Sequence, residues 1–250
     1  VISDNIFSYD KTTGKGNWAY GKGVIINSTI TISGKNIYFL ENQSPNLKAE
    51  SNGKISSNQL WTENLKAVCL NLETGRPRWI QPFPALKYVD STKSSVQVGY
   101  GVATKDAFLP VLSQAVHGTN KGLYTYHYFD AKTGKPKWAP DANKVTGKVL
   151  DIHVVLEGIL VLNMDGLMLL DKSSGEGLWK KTLKVKGAYE GMLVQDDDAF
   201  FMVSKKYVLE IDIANQSTRQ LTDKIKFQGG ETFGEIEVND DLIVLNSRQN

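Results

Sequence analysis

The chain has a single cysteine, Cys69, among 250 residues. One thiol excludes an intrachain disulfide and any cysteine-built zinc cluster. Its place in the apolar run 66–70 reads as a buried, inert side chain rather than a nucleophile. Histidine is scarce too: His117, His127 and His153 are all there are. No paired zinc-ligand motif, phosphate-binding loop or nucleophile elbow occurs. Gly99-Tyr100-Gly101 starts like a dinucleotide fingerprint, but no helix follows it. No apolar run comes near the ~20 residues that cross a bilayer, so no membrane span is expected. Charge of one sign is missing as well. The 29 Lys and Arg against 27 Asp and Glu give a net +2, and the cations are scattered. That excludes a strong draw toward nucleic acid or an anionic membrane. No amphipathic helix of three turns can be read anywhere. The chain opens Val1-Ile2-Ser3, with no Met and no signal peptide, which reads as a trimmed or processed form.

What is present is globular. The hydrophobic fraction of 41% and charged fraction of 22% are ordinary for a folded domain. The length suits one large domain or two small ones. Against this background one phrase recurs: an Asp or Asn, three residues, Gly, three residues, Trp. The copies are Asp10, Gly14 and Trp18; Asn71, Gly75 and Trp79; Asp130, Gly134 and Trp138; Asp171, Gly175 and Trp179. The tryptophans lie 61, 59 and 41 residues apart. An eroded fifth copy starts at Asp212 and has lost both Gly and Trp. Each copy follows a β-type run such as 123–129 or 167–170. The Asp or Asn can accept backbone N–H groups at a turn, the Gly can supply positive φ, and the Trp opens the outgoing strand. Such a turn joins adjacent antiparallel strands. Second hairpins are read upstream at 30–40, 153–162 and 192–203, where apolar runs are broken by Gly, Asn and Asp. Two hairpins per unit make a four-stranded blade, and periods of 40–45 suit a propeller. A ring at one fixed place per unit reads as packing between neighbouring units; stacking on a ligand is the alternative.

The phrase Asp-x-x-Thr-Gly-x-x-x-Trp after a strand resembles the repeat of the pyrroloquinoline-quinone-type propellers. That family takes in quinoprotein alcohol dehydrogenases and the outer-membrane assembly lipoprotein BamB. Asp130, Thr133, Gly134 and Trp138 match it fully, as do Asp10, Thr13, Gly14 and Trp18. The second copy has Asn71 for the Asp, and the fourth has Ser174 for the Thr. The resemblance implies an all-β propeller of four-stranded antiparallel blades. In the dehydrogenases it also implies an adjacent cysteine pair on the quinone and carboxylate and Asn ligands on calcium. One cysteine rules out the first feature, and no match for the second is found. No cofactor is therefore expected, with quinone plus calcium the alternative. A periplasmic or extracellular location follows from the resemblance alone.

The ends suggest how a ring would close. The N-terminus carries half a unit up to Trp18, and residues 234–250 carry the other half. Joined, they make one blade of 234–250 plus 1–20, leaving blades at about 21–82, 98–140, 149–182 and 192–222, five in all. Relatives of this type have about seven or eight blades, so a short variant and a piece of a longer protein both stand. Two insertions, 43–62 and 114–122, are the natural contact surfaces, since binding concentrates on loops held by a scaffold. Trp61 and His117 are the residues singled out there, with Tyr88 as a further aromatic; packing under the insertions is the alternative for Trp61 and Tyr88. His127 and His153 read as sheet residues. Asp196-Asp197-Asp198 and Asp240-Asp241 read as solvated hairpin tips. Asp151, Glu157, Asp165 and Glu235 are the carboxylates a funnel enzyme would draw on, but no catalytic pair is assigned. The expected function is a non-catalytic scaffold binding a protein, a ligand or another domain of its own parent chain. The alternative is a quinoprotein-like oxidoreductase or a sugar-active enzyme using the central funnel.

Overall fold

Short apolar runs between polar turns give the backbone one economical way to satisfy its N–H and C=O groups, an antiparallel ladder with a neighbouring run. The computed structural model describes residues 2–45, 47, 55, 57–61, 64–83, 94–116, 122–138, 149–163, 166–182, 192–196, 199–203, 207–222, 231–239 and 242–249. The chain divides into two compact units, Val1–Thr146 and Gly147–Asn250.

In the first unit the strands run β1 (Ile2–Ser3), β2 (Ile6–Tyr9), β3 (Gly16–Tyr20), β4 (Val24–Ile26), β5 (Thr31–Ser33) and β6 (Asn36–Asn42). A short helix, α1 (Ser57–Leu60), precedes β7 (Leu65–Asn71) and β8 (Pro77–Pro82). Then follow β9 (Ser94–Ala103), β10 (Ala107–Val116), β11 (Gly122–Tyr126), β12 (Tyr128–Asp130) and β13 (Pro136–Trp138). One sheet has the order β1-β4-β6-β7-β8, with β5 also on β6, and a second has β11-β10-β12-β13, with β9 on β10. The β1 strand pairs with Ile25 and Ile26, which places it in the sheet expected to begin at residue 21. Strands β4 and β5 share one side of β6 because a single turn at Asn27–Thr29 interrupts them. Thr29 replaces the lost ladder there: its hydroxyl donates to Ile26 O at 2.7 Å and accepts from Leu40 N at 2.8 Å. The run 123–129, read as one strand, is broken at His127. Pro110 stands opposite; its carbonyl accepts from His127 N, but it has no N–H to return.

The unbroken apolar stretches of β6 and β7 have a direct cause: both faces are buried. Tyr38, Leu40, Ala67 and Cys69 face one cluster with Trp79, Phe108 and Phe129. Ile37, Phe39, Val68 and Leu70 face another with Tyr20 and Ile25. A sheet sandwiched in this way needs apolar side chains at both parities of the strand, as a blade between two neighbours does. Each fully buried Leu or Phe in these clusters stabilises the fold by about 1.5–3 kcal/mol.

In the second unit β14 (Val149–Val154), β15 (Ile159–Asn163), β16 (Gly166–Leu170) and β17 (Gly177–Thr182) make one four-stranded antiparallel sheet. A second comprises β18 (Met192–Asp196), β19 (Ala199–Val203), β20 (Val208–Asp212) and β21 (Ser217–Gln220). Leu160, Leu162, Leu167 and Leu169 of the first pack with Phe200, Met202, Leu209 and Ile211 of the second. Strands β22 (Glu231–Asn239) and β23 (Leu242–Gln249) form a two-stranded sheet, as β2 and β3 do in the first unit. A blade joined from these two hairpins is not among the strand pairings of the described residues. The upstream hairpins read at 30–40, 153–162 and 192–203 are present as β5–β6, β14–β15 and β18–β19.

Candidate functional site

The recurring phrase is a capped hairpin corner. In the first copy Asp10 Oδ1 accepts from the Thr13 N–H at 2.7 Å, the Thr12 N–H at 3.0 Å and the Thr13 hydroxyl at 2.9 Å. Gly14 N donates back to Asp10 O, and Asp10 N donates to Lys15 O. The pattern repeats around Asn71 with Thr74, Asp130 with Thr133, and Asp171 with Ser173 and Ser174. The hydroxyl residue before each Gly therefore has a definite task, which the spacing of Asp, Gly and Trp does not disclose. The corner bonds hold the carboxyls of Asp10, Asp171 and Asp212 below the usual range. For Asp10 the chief cause is the Thr13 N–H, and for Asp212 it is the Asn215 side chain. For Asp171 the Ser173 hydroxyl leads, and the value falls to about 2. Partial burial pushes Asp130 up, but the Thr133 bonds and Lys137 outweigh it and leave it lowered.

The glycines and tryptophans meet across sheets. Gly75 has φ +66° and Gly134 has φ +69°. A Cβ at Gly75 would lie 2.5 Å from the Trp18 ring, and one at Gly134 would lie 2.5 Å from the Trp79 ring. Each indole then donates to the carbonyl next to the capping residue: Trp18 Nε1 to Leu72 O and Trp79 Nε1 to Ala131 O, both at 3.0 Å. One copy's ring thus seats on the next copy's corner. Trp79 and Trp138 are buried, and Trp18 and Trp179 are half-buried. Trp179 packs against the cluster of the second unit to which Ile213 of the eroded copy belongs. The inter-unit packing read from the sequence is what the first two copies show.

The sequence-derived contact residues are placed unevenly. Trp61 is 6% exposed and sits in the first unit's core with Leu60, Tyr38 and Phe83; it anchors the insertion rather than presenting a ring to solvent. His117, Tyr88 and Asp165 lie outside the described residues. His127 is buried edge-on against Phe83 at 4.4 Å, and burial pushes it down to about 4. His153 Nε2 lies 3.5 Å from Asp151 Oδ2 and packs edge-on against Phe200. Cys69 is fully buried in the cluster of Tyr38 and Trp79, and burial pushes its thiol up to about 11. A lone thiol of this kind does not fit the cysteine pair of a quinone site. No group of three His, Cys, Asp or Glu close enough to hold a metal exists among the described residues. No helix among them is long and apolar enough to cross a membrane. A groove of about 470 Å³ is lined by Asp4, Asn5, the link Gly21–Val24 and Leu47.

The model of the family described as outer membrane protein assembly factor BamB matches residues 2–181, and the chain belongs to that family. Similar solved structures include BamB from Moraxella catarrhalis, at 14% identity, with 86% of this chain and 60% of that one covered and a TM-score of 0.47. Dihydro-heme d1 dehydrogenase NirN in complex with DHE is 14% identical, with 98% and 50% covered and a TM-score of 0.49. The WD40 domain of SCAP from fission yeast is 9% identical, with 96% and 56% covered and a TM-score of 0.45. The chain thus spans 50% to 60% of the length of these structures. No curated protein matches it.

Proposed function

We propose that this BamB-type chain is a non-catalytic propeller scaffold that holds another protein through loops inserted between its strands. One observation carries the reading: the recurring residues use up their own chemistry inside the fold. The capping oxygens take the corner's N–H and hydroxyl groups, and two indoles are spent on the next sheet's carbonyls. Recognition then falls to the insertions, and the first of these is fixed at its base by Leu60 and Trp61 in the core. The family's description points to a protein of outer-membrane assembly as the partner, and so to the periplasmic side of that membrane. The mismatch of Cys69 with a quinone site supports the non-catalytic half.

The test has two arms. Residues 48–54 are replaced by a Gly-Ser segment of equal length, sparing Ser57–Trp61, because deleting the whole insertion would also empty the core. Binding to the soluble part of an outer-membrane assembly protein is measured by surface plasmon resonance. The expected result is lost binding with an unchanged melting midpoint; unchanged binding would reject this insertion as the contact. In the other arm the chain is incubated with the quinone and calcium. No dye-linked alcohol oxidation is expected, and turnover would overturn the scaffold reading.

A further inference from the structure

Glu41 lies in β6 with no exposed surface. Tyr20, at the end of β3, donates its hydroxyl to Glu41 Oε1 at 2.7 Å, and the Gln43 amide donates to the same oxygen. Oε2 is buried and has no hydrogen-bond partner. Two donors on one oxygen and none on the other is a poor setting for a carboxylate, because a buried charged oxygen left unpaired costs more than a neutral one. A neutral acid fits it better: its carbonyl oxygen takes both donors, and the O–H on Oε2, though without an acceptor, costs less than an unpaired charged oxygen. The charged groups near it on neighbouring elements are few among the described residues. Lys22, in the link from β3 to β4, favours ionisation. Lys66 is the register partner on β7, and β4 offers only Ile25 in register. Burial, the largest influence, pushes the carboxyl up; the bonds from Tyr20 and Gln43 and the charge of Lys22 pull the other way and lose.

The placement of this pair gives it a consequence. Tyr20 belongs to the two-stranded hairpin β2–β3, and Glu41 belongs to the neighbouring sheet. Apart from this bond, the hairpin is held there by the Trp18 indole on Leu72 O and by the apolar cluster around Tyr20 and Phe39. We infer that Glu41 is a protonated latch on the hairpin: loss of its proton strengthens the Tyr20 bond but leaves a buried charge without water, and lifting residues 6–20 from the sheet beneath relieves that larger cost.

The direction in pH follows. An unfolded Glu titrates near ~4.3, and the folded group titrates above that. The stabilisation is complete below the unfolded value and is lost as pH rises through the folded one. The opening equilibrium of the hairpin rises by up to about tenfold for each unit by which the closed-hairpin value exceeds the open-hairpin one.

Amide hydrogen exchange of residues 6–20, corrected for intrinsic rates, is measured at pH 5 and pH 8 in the wild type and in Glu41→Gln. The wild-type hairpin should open more at pH 8, while the variant should keep the same protection at both. A Glu41→Gln chain that opens with the wild-type pH slope, or that is less protected than the wild type at both values, would overturn the latch. The infrared C=O band of a protonated carboxyl in the wild type gives a readout that needs no variant to fold. It should persist above the ordinary glutamate range, and its loss within that range would equally defeat the proposal.

Discussion

Gln216 has φ +53°. It stands four residues after Asp212, the place where the other copies carry Gly14, Gly75, Gly134 and Gly175, all at φ between +66° and +73°. The eroded copy has therefore lost the residue but kept the positive φ, although its N–H now donates to Ile213 O rather than to the carbonyl of the capping residue. A side chain in the left-handed region costs about 1–2 kcal/mol. Introducing Gly returns somewhat less than that, because Gly gives up more chain entropy on folding. Gln216→Gly should accordingly stabilise the protein by about 0.5–1 kcal/mol, measured as a higher urea midpoint at an unchanged m-value. A midpoint that stays put would mean that the corner carries no strain. Residues explain equally well what the sequence does not disclose. Thr29 and Glu41 do their work through partners 11 and 21 positions away, and no local spacing marks them. Trp61 is read either as a contact anchor or as packing under the insertion, and its burial decides for packing.

The corner as an element was legible because its parts are adjacent in the chain: capping oxygen, positive-φ position, outgoing Trp. The natural variation among copies also supplies a control for acid sensitivity. Asn71 caps with a neutral amide oxygen in the geometry that Asp10, Asp130 and Asp171 reach with a carboxylate. Since the folded carboxyls titrate below the unfolded value of ~3.9, their stabilisation is present above that pH. It is lost as pH falls through the folded values, down to about 2 for Asp171. Acidification from pH 4 to 2 should lower the melting midpoint. Asp171→Asn, which copies the second corner, should start somewhat less stable than the wild type at pH 7, where it lacks the ionised cap, and lose less of its midpoint in that acid window. Parallel melting curves for the two chains across it would show that the Asp171 cap does not contribute to acid sensitivity.

At the scale of the whole molecule, the all-β blades were legible because β6 and β7 are apolar at both parities and the corner, counting its eroded copy, recurs in every described sheet but β22–β23. Ring closure is a different kind of property. It depends on pairing between segments separated by most of the chain, and no periodicity specifies it. What the packing does specify is coupling between neighbours. Tyr38 of one sheet stacks on Phe108 of the next at 5.3 Å, and Trp79 stacks on Phe129 at 6.3 Å. Phe39 points the opposite way, toward Tyr20 of the hairpin, at 5.7 Å. A stack of sheets that touch only in sequence behaves as a one-dimensional array, in which stability is a sum of unit and nearest-neighbour contributions. Double-mutant cycles test this within the first unit. Tyr38→Leu with Phe108→Leu should show a coupling of about 0.5–1.5 kcal/mol, as paired aromatic rings do. Tyr20→Leu with Phe129→Leu, which sit in different clusters on either side of the same sheet, should add to within about 0.5 kcal/mol. Strong coupling in the second cycle would mean that the intervening sheet transmits strain as a rigid body, and the array description would have to give way to a single cooperative core.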